Sequence, residues 1–316
     1  MLASKISSNL ITTDNITKGF KYGIQILEQI VNKVPFAVNY DLTWNCNLRC
    51  KHCYFFSSAA ELEHGNLDKR KDLTDEEWIR IFKYHRNLGV RSVALTGGEP
   101  TLRMNLIQKA VEIFPKVQLA SNGTRKIPQF KGENQPLIWI SLDGSQYTHN
   151  KMRGANIFHK VIENIRNDKR VLISCTITSQ NYRDIEGAVQ SAFEAGVSGI
   201  FFLWYTGYDD DPLLLTGESK KMANRNILKV MEEYGDFILI SKKMLELYNT
   251  KEFVDDCIFK KKNRIFSFYP DGKLKYCVMG NSPELCKNCG CIVPVAIYAL
   301  SKFDEETIRK IQKFNF

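Results

Sequence analysis

The chain has 316 residues, of which 44% are hydrophobic and 25% charged. These proportions exclude a disordered tail, a collagen-like fibre and a small disulfide knot, and the length suits one α/β barrel with an appendage. Lys and Arg number 44 against 35 Asp and Glu, a formal net charge of +9. That excess reads as a solvated basic surface, and it is also compatible with an acidic redox partner, an anionic substrate or a membrane surface. No interleaving of aromatic and basic residues marks a nucleic-acid module.

Residues 1–35 read as an amphipathic leader. Ile16, Phe20, Ile24, Leu27, Val31 and Val34 recur at steps of three or four, and Lys18, Lys21 and Lys33 lie off that stripe. Such a helix packs on its own domain or lies on a membrane. The longest apolar stretches, 199–205 and 291–300, are too short to span a bilayer. The N-terminus shows no basic start, apolar middle and small-residue cleavage site. A cytoplasmic, reducing setting is therefore expected, peripheral to a membrane if the leader binds one. In that setting grouped cysteines indicate metal rather than disulfides.

From residue 36 apolar runs alternate with helical patterns. The runs at 36–42, 91–96, 117–121, 137–142, 171–178 and 199–205 are predicted strands. Helices are predicted at about 74–88, 103–114, 157–168, 184–195 and 219–234. Thr74-Asp75-Glu76-Glu77 opens a helix with a possible capping box, and Gly89, Gly196 and Gly235 stand where helices should stop. Residues 124–136 contain two prolines and a glycine and should join two strands without a regular helix. Strand–helix alternation with six strands, too few for a complete eight-fold barrel, predicts a parallel sheet curved into an open, partial (β/α)6 barrel of TIM type, over 36–235. After residue 235 the alternation fades, and 236–316 reads as a small Cys-rich domain. Within it 266–276 reads as a β-hairpin about Pro270-Asp271-Gly272.

Eight of the nine cysteines fall in two groups. Cys46, Cys50 and Cys53 follow the first predicted strand, at the barrel end where chemistry is normally built. Three thiolates on one compact loop can hold three corners of a four-iron cube and leave the fourth iron open. Zinc is the other thiolate-bound candidate, but His52 sits between Cys50 and Cys53 and is poorly placed to converge on their metal. Cys175, inside the fifth predicted strand, reads as a buried small hydrophobe.

The spacing Cys46-x3-Cys50-x2-Cys53 resembles the defining motif of radical S-adenosylmethionine (SAM) enzymes, with His52 at the position usually aromatic. The resemblance covers about residues 36–205. It extends to Gly97-Gly98-Glu99-Pro100 after the second strand, Ser121-Asn122-Gly123 after the third, and Ser141-Leu142-Asp143-Gly144 after the fourth. His149-x3-Arg153-Gly154 resembles a segment common in the family after the fourth strand. The family places Gly97, Gly98, Glu99 and Pro100 at the methionine amino group of SAM. Ser121, Asn122, Ser141 and Asp143 correspond to positions at the ribose and sulfonium. Arg153 is either a SAM-side contact or part of a structural salt bridge. The resemblance implies a [4Fe-4S] cluster on Cys46, Cys50 and Cys53 that reductively cleaves SAM to a 5′-deoxyadenosyl radical, which takes hydrogen from a substrate C–H. A flavodoxin or ferredoxin is the family's usual electron donor.

Cys257, Cys277, Cys286, Cys289 and Cys291 form the second group. The Cys…Gly272-x4-Cys277 hairpin resembles SPASM and twitch domains, which hold auxiliary iron–sulfur clusters. One auxiliary [4Fe-4S] cluster with a spare cysteine is implied, and a structural zinc is the other reading. The expected activity is peptide or protein modification or cofactor maturation. Two alternatives stand beside it: a membrane-associated enzyme of lipid modification, and a non-catalytic metal-binding scaffold. The residues leave a peptide, a lipid and a small metabolite open as substrate.

Overall fold

The computed structural model describes residues 34–56, 70–132, 134–261 and 265–312. The predicted leader, apart from its last two residues, lies outside the described residues. All six expected strands form: β1 (Ala37–Asp41), β2 (Ser92–Thr96), β3 (Lys116–Ser121), β4 (Leu137–Ser141), β5 (Val171–Ile177) and β6 (Ile200–Trp204). They pair in parallel as consecutive neighbours, as right-handed βα units require.

β1 to β4 alternate between less and more buried positions because their side chains face two different surroundings, whereas β5 and β6 are buried along most of their length. Val38 and Tyr40 of β1 pack beneath α1 (Asp75–Asn87), where Tyr40 meets Trp78 and Phe82 at ring-centroid distances of 5.5 and 4.9 Å. All three rings are fully buried, and truncating one to Ala would cost about 3–5 kcal/mol. Helix α1 starts as expected: Thr74 Oγ1 accepts from Glu77 N, and Glu77 accepts from Thr74 N. Helices α2 (Met104–Ile113), α4 (Phe158–Ile165), α5 (Ile185–Glu194) and α6 (Gly217–Tyr234) follow the predicted pattern. The expected stops hold too, with Gly89, Gly196 and Gly235 all at positive φ. No helix forms among the described residues between β3 and β4.

One helix was not legible in the pattern. Helix α3 (Gln146–Arg153) buries only His149, Met152 and Arg153, so it lacks an aliphatic stripe. It ends at Gly154, whose φ of 71° is left-handed.

The sheet continues past the six strands. The segment after residue 235 supplies β7 (Ile265–Phe268) and β8 (Leu274–Lys275), the expected hairpin. β7 pairs in parallel with β1, so the described sheet has eight strands in the order β6-β5-β4-β3-β2-β1-β7-β8. Helices α7 (Lys242–Thr250), α8 (Ile292–Ser301) and α9 (Glu305–Gln312) are the remaining α-helices among the described residues. The wholly apolar first turns of α8 hid its period. Its Ile292, Val293 and Ala296 line a cavity of about 570 Å³ together with Ala37, Asn39, Gln118, Trp139 and Phe201, residues in the N-terminal half of the barrel and on β6. Cys175 is buried in the core, as expected of a small hydrophobe.

Candidate active site

The first cysteine loop leaves β1 at Leu42 and is held from three sides. From β2, Gly98 N donates to Thr43 O at 2.8 Å and Glu99 N to Asn45 O at 2.9 Å. A Cβ on Gly98 would come within 2.2 Å of Asn45 O, and one on Gly97, at φ 124°, within 2.8 Å of Thr43 O. The two glycines therefore let the end of β2 press against the cysteine loop itself. From β3, Asn122 Nδ2 donates to Asn47 Oδ1 at 2.9 Å and lies 4.0 Å from Cys46 Sγ. From α3, Met152 O accepts from Lys51 N at 3.0 Å, and Gly154 sits so close to Arg49 O that a Cβ would fall 2.9 Å away.

Glu99 joins two of the expected binding segments. It is buried, and one carboxylate oxygen accepts from Thr101 N, Thr101 Oγ1 and Ser121 Oγ, while the other accepts from Asn122 N at 2.8 Å. Pro100 opens the short 3-10 turn that follows. Ser141 is half-buried at the end of β4, in register with Ser174.

Asp143 lies at the centre of a buried charged cluster. Its Oδ2 is 2.6 Å from Arg153 Nε and 3.5 Å from His52 Nε2. Its Oδ1 accepts from Thr176 N, and its own N–H donates to His149 Nδ1 at 3.2 Å. Burial would raise the carboxyl's pKa, but Arg153, aided by the two histidines, outweighs this and holds it below the usual carboxylate value. Burial pushes His52 and His149 down to about 4, so both are neutral near pH 7. Arg153 Nη1 in turn reaches Cys50 Sγ at 3.7 Å. Of the two roles expected of Arg153, the structure shows the salt bridge, and it adds a contact to the Cys50 thiol.

All three thiols are free and half-buried. Burial raises Cys46, and it pushes Cys53 up to about 11, against a backbone hydrogen bond from Phe55. Leu48 N donates to Cys46 Sγ at 3.4 Å. His52 Nδ1 is buried with no hydrogen-bond partner among the described residues. No three His, Cys, Asp or Glu side chains among those residues converge on a single metal-ion position. Amide donors to sulfur fit thiolates that would hold a four-iron cube, and the orphaned imidazole nitrogen is free to meet a ligand beside it.

The second cysteine group gathers against β6. Cys257 caps a short 3-10 turn, Cys277 follows β8, Cys286 lies within the turn Pro283–Asn288, and Cys289 caps the end of that turn. Cys291 caps α8. Burial is the first cause that raises Cys257, Cys277, Cys289 and Cys291, with Cys289 pushed up to about 11, and Cys257 and Cys277 sense the charge of Cys286. Gly290 presses on Trp204 so tightly that a Cβ would fall 1.7 Å from its carbonyl oxygen. Trp204 N donates to Gly290 O, and Gly290 N to Thr206 Oγ1 at 2.9 Å. Trp204 itself packs under α7 against Tyr248, and Tyr205 OH donates to Asp211 Oδ2 at 2.7 Å. The acidic loop 209–211 is built rather than loose: Asp209 accepts from both Lys287 and Asn288.

Two contacts that carry no sequence signal tie the groups together. Lys275 of β8, two residues before Cys277, pairs with Asp41 of β1. Tyr269 of the hairpin stacks on Trp44, two residues before Cys46, at 5.6 Å.

The profile of the Radical SAM superfamily matches residues 40–213. Among curated relatives, Fe-coproporphyrin III synthase of Methanosarcina barkeri is 27% identical over 227 residues, 68% of this chain and 53% of that protein. A probable GTP 3′,8-cyclase of Pyrococcus horikoshii is 33% identical over 132 residues, 40% of each chain. The sporulation killing factor maturation protein of Bacillus subtilis is 27% identical over 177 residues, 52% of this chain and 41% of that one. The chain spans about half the length of the curated relatives it matches. Among solved structures, anSMEcpe with bound AdoMet has the same fold at a TM-score of 0.60 and 20% identity, covering 78% of this chain and 76% of that chain. Streptococcus suis SuiB bound to S-adenosylmethionine gives a TM-score of 0.58 at 14% identity, covering 85% and 67%. A cysteine tripod at the mouth of a partial barrel and a profile match across 40–213 give one conclusion: the chain belongs to the radical SAM superfamily.

Proposed function

We propose that this protein is a radical SAM enzyme acting in peptide or protein modification or in cofactor maturation. The observation that carries the reading is the loop of Cys46, Cys50 and Cys53, braced by the ends of β2, β3 and α3. These three thiolates would hold a [4Fe-4S] cluster. The segments at Gly97, Gly98, Glu99 and Pro100, at Ser121 and Asn122, and at Ser141, Asp143 and Arg153, with His52, would flank SAM. When bound and reduced, the cluster supplies the electron that splits SAM to methionine and a 5′-deoxyadenosyl radical, which removes hydrogen from a substrate C–H. The protein's part is placement and exclusion of water. Glu99 keeps Ser121 and Asn122 in position, and Asp143 gathers Arg153 and His52 on its carboxylate and His149 on its backbone N–H.

The division into a leader (1–35), a barrel (36–235) and an iron–sulfur segment (236–316) is part of this proposal. Four of Cys257, Cys277, Cys286, Cys289 and Cys291 would hold an auxiliary cluster beside β6. The substrate class is supported by the relatives, which include a peptide-maturation protein and enzymes named for cofactor synthesis. A flavodoxin- or ferredoxin-type donor would supply the electron, and the basic excess suits an acidic partner. Among the described residues no helix is long and apolar enough to cross a membrane.

The test is anaerobic reconstitution with iron and sulfide, followed by dithionite and SAM. The expected result is 5′-deoxyadenosine and about eight irons per chain, against about four irons and one zinc if the C-terminal site is structural. A reconstituted protein that forms no 5′-deoxyadenosine would favour the scaffold alternative.

A further inference from the structure

We propose that Arg153 sets the reduction potential of the cluster through Cys50, as a cation locked in place by Asp143. The inference rests on the four-iron reading of the first cysteine loop and adds a role that the motif does not assign. The guanidinium is shared between two anions. Its Nη1 lies 3.7 Å from Cys50 Sγ, and its Nε lies 2.6 Å from Asp143 Oδ2. The Arg153 side chain is 9% exposed and that of Asp143 is fully buried, so water screens neither contact well.

The arrangement is asymmetric across the tripod. Cys46 and Cys53 receive backbone N–H donors, from Leu48 and Phe55. Among the described residues, Cys50 alone receives a charged side-chain donor. Reduction adds negative charge to a cluster, so a cation and a hydrogen bond at a ligand sulfur favour the reduced state. Asp143 opposes that effect and also aims it. Its carboxylate is anchored by Thr176 N, while Lys51 N, donating to Met152 O, ties the far end of α3 to the loop. The guanidinium is thus the close charge at Cys50, and the carboxylate it is paired with is set further back. Only a planar fork reaches both partners at once, which a lysine ammonium cannot do.

Two substitutions should move the potential in opposite directions. Arg153→Gln removes the cation and should shift the midpoint potential of the first cluster to more negative values. Asp143→Asn leaves the cation uncompensated and should shift it to more positive values. Arg153→Lys should fall between wild type and Arg153→Gln. The measurement is a redox titration of the reconstituted full chain followed by EPR. The signal that changes on adding SAM identifies the first cluster, and circular dichroism checks the fold. Unchanged potentials, or shifts of Arg153→Gln and Asp143→Asn in the same direction, would overturn the inference. If Arg153→Gln loses its iron, Arg153→Lys decides, and a wild-type potential there would overturn it. Loss of iron from all three folded variants would make Arg153 a retention residue and overturn the tuning role. Wild-type protein that takes up no cluster at the tripod would instead overturn the reading on which the inference rests.

Discussion

Lys275 Nζ lies 2.5 Å from Asp41 Oδ2, joining the last strand of the sheet to the first. Both side chains are almost wholly buried, and the ammonium also donates to Val278 O and lies over the rings of Tyr54 and Tyr269. Through this pair the segment bearing Cys277 is pinned beside the segment bearing Cys53. Removing one member of a buried pair strands the other charge. Lys275→Met should therefore cost about 3–5 kcal/mol. The double variant Lys275→Met, Asp41→Asn should be more stable than the single one. Urea denaturation of the three proteins checks this, and a double variant no better than Lys275→Met would contradict it.

The two cysteine groups should be separable by single glycine substitutions. Gly98→Ala would drive a methyl into Asn45 O and displace the first loop. Gly290→Ala would do the same against Trp204 O and displace Cys289 and Cys291. Each folded variant should lose about half of its iron, roughly four atoms, from its own site only. Iron analysis and EPR distinguish the sites, and equal loss from both in either variant would contradict the assignment.

Cys53→Ala should abolish 5′-deoxyadenosine formation, whereas Cys277→Ala should leave some. The reason is placement: Cys53 belongs to the loop braced by β2, β3 and α3, and Cys277 to the turn after β8. Liquid chromatography of anaerobic reactions measures the product. Equal activity in the two variants would remove the division of labour.

Stability should fall as the solution is acidified below about pH 6.5. His149 is buried and its folded-state pKa is pushed down to about 4 by burial, with Arg153 adding to the effect. Between these values the unfolded chain binds a proton that the folded chain refuses, so stability rises with pH through this window. At pH 5 the loss from this residue alone is about 2 kcal/mol relative to pH 7.5. His149→Asn keeps an acceptor for Asp143 N and should flatten that part of the profile. Parallel denaturation curves at pH 5 and 7.5 check it, and an unchanged slope would rule the histidine out as its source.

Local features were legible because their causes are local. Apolar runs marked all six barrel strands, and Thr74 with Glu77 marked the start of α1. Pro270-Asp271-Gly272 marked the β7–β8 turn. The spacing of Cys46, Cys50 and Cys53 marked the candidate centre, because three residues on one short loop meet whatever the rest of the chain does. Helix α3 was not legible, since polar residues occupy its buried face.

Partner choice across the fold was decided by tertiary structure alone. Nothing near Arg153 in the chain indicates that it reaches Cys50, 103 residues away. The same holds for Lys275 and Asp41, and for Gly290 against Trp204. The sequence by itself determined the six barrel strands, five of the helices, the β7–β8 hairpin, the cysteine loop and the family resemblance. Strand order and the pairing of β7 with β1 determined which buried charges and backbones meet. The physical reason is that periodicity and turn chemistry act over a few residues. A buried charge is settled only by whichever side chains the packed sheet and helices bring within reach.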